Sequence, residues 1–108
     1  MKKIYLFCSQ GMSTSILANN MQEVANSHNL PIEVAAFPHS KLEEIINAKH
    51  PDCILLGPQV KYMYEETVEK FGDNGVPISV INQEDYGMMN GEKVLKTAIK
   101  LIKSNKTK

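Results

Sequence analysis

Ile4-Tyr5-Leu6-Phe7-Cys8-Ser9-Gln10-Gly11-Met12-Ser13-Thr14-Ser15 is the stretch from which the rest of the chain can be read. The apolar run from Ile4 to Cys8 is unbroken, the pattern of a strand covered on both faces as in a parallel sheet. Ser9, Gln10 and Gly11 interrupt it. Beyond them Leu17, Met21, Val24 and Ala25 recur at i, i+4, i+7 and i+8, which predicts an amphipathic helix that Pro31 stops. The stretch is therefore a strand, a tight polar turn and a helix N-terminus.

Three more nearly continuous apolar runs follow, Ile32 to Phe37, Cys53 to Leu56 and Ile78 to Ile81, separated by segments of helical spacing. Ser40-Lys41-Leu42-Glu43 reads as a capping box opening a helix with Leu42, Ile45 and Ile46 inward. Pro58 is placed to start another helix, with Val60, Met63, Tyr64, Val68 and Phe71 as its apolar stripe and Asp73-Asn74-Gly75 as its end. After Asn90-Gly91 a last helix turns Leu95, Ala98, Ile99 and Ile102 inward. The order βαβαβαβα predicts an α/β fold: a small doubly wound sheet of four parallel strands with helices on both faces, one domain over residues 1–108. In such sheets ligands sit beyond the carboxyl ends of the strands. Three loops should meet there: Cys8 to Thr14, Gly57 to Gln59, and Asn82 to Tyr86.

The 108 residues carry 12 basic and 12 acidic side chains, and every basic one is Lys. Interleaved Lys and Glu give no basic stripe for a phosphate backbone, so nucleic acid is not an expected partner; the Lys-rich end from Lys96 reads as a helix C-terminus and tail. The apolar run after Met1-Lys2-Lys3 is too short for a signal peptide, and no stretch reaches the roughly 20 apolar residues of a membrane span. The expectation is a cytoplasmic protein with reduced cysteines, and a lone neutral domain is expected to be a monomer.

A thiol at a strand end, then small and hydroxylic residues, then a helix N-terminus suits a phosphoryl group. Gly11 lets the backbone curl, the amides from Gln10 to Ser15 point inward, and the helix dipole favours an anion. The same field favours the thiolate, making Cys8 the candidate nucleophile. The hydroxyls of Ser9, Ser13, Thr14 and Ser15 are available as further contacts. Cys53, at the start of its strand, reads as a packed core thiol. The loop has the shape found in low-molecular-weight cysteine phosphatases, but Thr14 stands where those enzymes place an Arg, and the chain has no Arg. Without a bidentate guanidinium or a general acid for an alkoxide leaving group, phosphate-ester hydrolysis is disfavoured. Transfer from a donor with a good leaving group, such as phosphohistidine, remains, and the product would be a phosphoryl group held on Cys8. The alternatives are a cysteine-dependent phosphatase and a non-catalytic, flavodoxin-like module that binds a phosphate ligand.

The opening stretch, Ala36-Phe37-Pro38, Ile54-Leu55-Leu56-Gly57-Pro58-Gln59-Val60-Lys61-Tyr62-Met63, and Asp85-Tyr86-Gly87 with the Val94-Leu95-Lys96 helix together resemble the IIB component of the lactose/cellobiose-type sugar phosphotransferase system. The resemblance spans essentially the whole chain and lies closer to the cellobiose or diacetylchitobiose branch. It implies that Cys8 accepts phosphoryl from a histidine of a IIA protein and donates it to a sugar, a β-linked disaccharide in that branch, during uptake through a IIC membrane component. It matches residues Ser9 to Ser15 to the family's phosphate-binding loop and involves no cofactor. Gln59 and Tyr86 lie on loops at the same edge and are candidate rim contacts.

The remaining polar and sulfur-bearing residues read plainly. His28, His39 and His50 fall near element ends, away from the cysteine loop in sequence, and read as surface or capping residues with no metal spacing. Met63 reads as core, Met12 as a candidate docking rim, and Met88-Met89 as either surface or sheet cover. Glu65-Glu66 and Glu84-Asp85 read as solvated faces.

Overall fold

The computed structural model describes residues 2–9, 12–72 and 76–106. Each apolar run is a strand: β1 Lys2–Cys8, β2 Ile32–Pro38, β3 Cys53–Leu56 and β4 Ile78–Val80. The helices are α1 Met12–Ser27, α2 Leu42–Lys49, α3 Tyr64–Phe71, α4 Gln83–Gly87 and α5 Gly91–Lys106. The strands form one sheet in the order β2-β1-β3-β4, with every neighbouring pair parallel. β1 is central, so Phe7 stands between Phe37 on β2 and Leu56 on β3.

That order reverses direction once. The chain moves outward from β1 to β2, then back across β1 to β3 and on to β4. Right-handed crossovers require α1 to lie on the face opposite α2 and α3. The two cores show this division. Ile4 and Leu6 pack with Leu17, Met21, Ala25, Leu95 and Ala98 from α1 and α5. Tyr5 and Phe7 pack with Leu42, Ile46 and Phe71 from α2 and α3. The alternation along β1 is the period-2 pleat, read without a polar residue because both faces are covered.

Gly91 sets how closely α5 meets α1. A Cβ there would lie 2.6 Å from the carbonyl carbon of Asn20 and 2.7 Å from the nitrogen of Met21. The Asn20 amide also donates to the Met89 carbonyl at 3.0 Å, pinning the turn that leads into α5.

Three local readings change. The expected capping box is absent: His39–Lys41 form a 3₁₀ turn, and α2 starts at Leu42 with Lys41 as an N-cap that makes no side-chain bond. Residues Pro58–Met63 form a 3₁₀ stretch broken at Val60 (φ −115°, ψ 24°), after which α3 starts afresh. The break resets the helical register, so Val60, Thr67 and Phe71 are buried while Tyr64 and Val68 are exposed. Third, the segment after β4 is the short helix α4 rather than an open loop. The expected stop at 73–75 lies outside the described residues; α3 ends at Phe71 with Gly72 as its C-cap.

Candidate active site

The strand order reverses between β1 and β3, and Cys8 is the last residue of β1. Its exposure is 2%. On the β3 side, the Gly57 amide extends the ladder by donating to the Phe7 carbonyl at 2.8 Å. A Cβ on Gly57 would stand 3.2 Å from Cys8 Cβ and 2.7 Å from Gln59 Oε1. Glycine is thus what lets the loop after β3 close on the cysteine.

On the other side of Cys8 the chain passes Ser9, which is exposed, and enters α1 at Met12. Gln10 and Gly11 lie outside the described residues, as do the side chains of Met12 and Ser13. Helix α1 is 16 residues long and has no acidic residue in its first turn, so its N-terminal amides and dipole present uncompensated positive charge toward the end of β1. Thr14 is fully buried and Ser15 exposed.

The three loops are tied together by Tyr86. Its hydroxyl lies 3.1 Å from Thr14 Oγ1 and accepts from the Gln59 side-chain amide at 3.0 Å. Between Tyr86 and Thr14 either hydroxyl can be the donor. Tyr86 is held in turn by α4, whose N-cap Asn82 accepts from the amides of Glu84 and Asp85 at 2.9 and 3.2 Å. Gln59 and Tyr86 border a groove of about 390 Å³ that Pro58, Lys61, Gln83 and Gly87 complete. The expected rim contacts therefore meet, but Tyr86 is mostly buried and braces the rim from behind.

His39 also reaches the site. Its Nδ1 is 3.3 Å from the Cys8 carbonyl oxygen. In sequence it is remote from the cysteine loop, but Cys8 is in register with Pro38. A residue just past the end of β2 must then stand level with the end of β1. Strand pairing, more than sequence distance, was the signal that could have found it. Asp85 departs from the solvated reading too: its carboxylate is mostly buried and pairs with Lys93 Nζ at 3.5 Å.

Cys53 lies opposite Ile4, four strand residues back from the site. Burial, reinforced by the charge of Asp52, pushes its thiol up to about 12, which keeps it protonated and unreactive. No disulfide joins it to Cys8. Among the described residues no group of His, Cys, Asp or Glu side chains could hold a metal ion, and no helix is long and apolar enough to cross a membrane. Met63 packs against the second core and Met89 against the first, while Met88 is exposed.

Cys8 is thus a buried thiol at the switch point of the sheet, at the end of β1 and shortly before α1 begins. Residues 3–97 match the family model described as the lactose/cellobiose-specific IIB subunit of the PTS system. The chain is 40% identical over 104 residues to a galactose-specific EIIB component of Lactococcus lactis subsp. cremoris, covering 94% of this chain and 96% of that protein. The same figures hold for a cellobiose-specific EIIB component of Lactococcus lactis subsp. lactis. The solution structure of a cellobiose-specific phosphotransferase IIB component from Borrelia burgdorferi superposes with a TM-score of 0.78 at 36% identity, over 96% of this chain and 94% of that one. The chain belongs to the lactose/cellobiose-specific IIB family and is a phosphoryl carrier of a sugar phosphotransferase system.

Proposed function

We propose that Cys8 is the residue that carries the phosphoryl group, within a single domain spanning 1–108, and that residues Ser9 to Ser15 form the cradle that holds it. The observation that carries this reading is the position of Cys8 at the carboxyl end of the central strand, next to the switch point and the start of α1. A IIB component works with a IIA protein and a IIC membrane component. In the first step the Cys8 thiolate attacks phosphorus of a phosphohistidine on IIA. The P–N bond breaks with its electron pair left on the imidazole, which departs neutral once the ring carries one proton. In the second step a sugar hydroxyl attacks the same phosphorus, the S–P bond breaks, Cys8 leaves as thiolate, and the hydroxyl proton goes to solvent or a base on the acceptor side.

The cradle stabilises charge through backbone amides and the dipole of α1. The Gln59–Tyr86–Thr14 brace orients the loops and adds no charge of its own. The acceptor is a β-linked disaccharide, the protein acts in the cytoplasm, and it docks with each partner in turn as a monomer through the Cys8 edge. A phosphatase reading is disfavoured by the lack of any Arg to clamp a phosphate ester. The test is to incubate the chain with a phosphohistidine-charged donor and map the phosphate by mass spectrometry. Phosphate on Cys8, lost in Cys8→Ser, supports the proposal. Phosphate on a histidine, or none from any competent donor, would sink it.

A further inference from the structure

We infer that His39 is a positioning residue for the transfer, holding the peptide that links Cys8 to the cradle; this rests on Cys8 being the carrier. The Cys8 carbonyl can only accept, so at 3.3 Å the His39 Nδ1 is the protonated ring nitrogen and donates to it. The Cys8–Ser9 peptide is planar and trans, and its N–H points opposite to its carbonyl. With the carbonyl drawn toward β2 by His39, the Ser9 N–H is turned the other way, toward the switch point between β1 and β3 where an anion on Cys8 would sit. His39 is half-buried and lines a cleft of about 140 Å³ with Leu42, Met63 and Phe71 and with the charged Glu43, Glu66 and Lys70. The hydrogen bond thus ties the first amide of the loop to the turn between β2 and α2. Nothing in this role needs His39 to touch phosphate, donor or sugar.

The experiment measures single-turnover phosphorylation of Cys8 at saturating charged donor in the parent chain, in His39→Ala and in His39→Asn. Asparagine puts an amide N–H where the imidazole Nδ1–H stands, so it restores the hydrogen bond without the ring. Loss of one neutral hydrogen bond that orients the cradle is expected to slow His39→Ala about three- to tenfold. His39→Asn should stay within about twofold of the parent. The donor concentration for half-maximal rate should be the same in all three. Equal rates in the parent and His39→Ala, equal slowing in both variants, or a loss confined to donor affinity would each overturn the inference while leaving Cys8 as the carrier. A parent chain that takes no phosphoryl group on Cys8 would overturn both.

Discussion

Replacing Tyr86 by Phe removes one oxygen atom and releases two of the three loops around Cys8. The two lost hydrogen bonds differ in cost. Gln59 is exposed, and its amide can turn to water with little penalty. Thr14 is 0% exposed and sits in the first turn of α1, out of contact with solvent. Leaving a buried hydroxyl without that partner costs about 1–3 kcal/mol, so Tyr86→Phe should lose about 2 kcal/mol. For a domain of this size that is a fall of roughly 8–16 °C in melting temperature. Thr14→Val removes the other side of the same contact. Because taking away both partners is far cheaper than taking away one, the double variant should be less destabilised than the sum of the singles, by about 1 kcal/mol. Urea denaturation of the four proteins provides the cycle. A Tyr86→Phe chain as stable as its parent, or strictly additive variants, would refute the view that this hydroxyl holds the loops together.

Gly57→Ala places a methyl group against Cys8 Cβ and Gln59 Oε1. Moving Gln59 is easy and moving the strand end is not, so phosphorylation of Cys8 should slow by at least about tenfold for a stability loss of only about 1–2 kcal/mol; rapid-quench labelling beside urea melts checks both. Gly91→Ala drives a methyl group into the backbone of α1 at Asn20 and Met21 and should cost about 3 kcal/mol with little to distinguish labelling of the folded fraction from the parent's. Alkaline stability follows from two shifted groups, since burial raises the Cys53 thiol from 9.0 to about 12, and burial with the Glu33 hydrogen bond raises the Tyr5 phenol from 10.0 to about 12. The unfolded chain releases these protons first, so stability should fall as pH rises from about 9 to about 12. Cys53→Val together with Tyr5→Phe should flatten that fall in melts taken across the range.

The two central strands were legible because burial on both faces leaves no polar residue from Ile4 to Cys8 or from Cys53 to Leu56, while the outer strands tolerate Glu33 and Ser79 within otherwise apolar runs; a parallel sheet then needs only the crossover rule to orient its layers. The edge bearing Cys8 followed from the same rule. What escaped was set by neighbours in space. His39 is brought to Cys8 by strand register across β1 and β2. The pattern Ser40-Lys41-Leu42-Glu43 fits a capping box, but the chain is already turning from Pro38 in a 3₁₀ turn, which places Lys41 at the helix start. The apolar stripe from Val60 to Phe71 has the spacing of one helix, and the kink at Val60 divides it. Asp85 looked solvated beside Glu84, yet α4 turns it inward against Lys93.

The brace formed by Gln59, Tyr86 and Thr14 contains two hydroxyls and an amide and no formal charge. A guanidinium in its place would bind a dianion deeply and turn the site into a sink. A relay works best when each station is nearly isoenergetic with the next, because every kilocalorie by which one station traps the cargo is added to the barrier for leaving it. On the proposal that Cys8 carries the phosphoryl group, an uncharged brace adds no fixed positive charge that would hold the cargo back from the next partner.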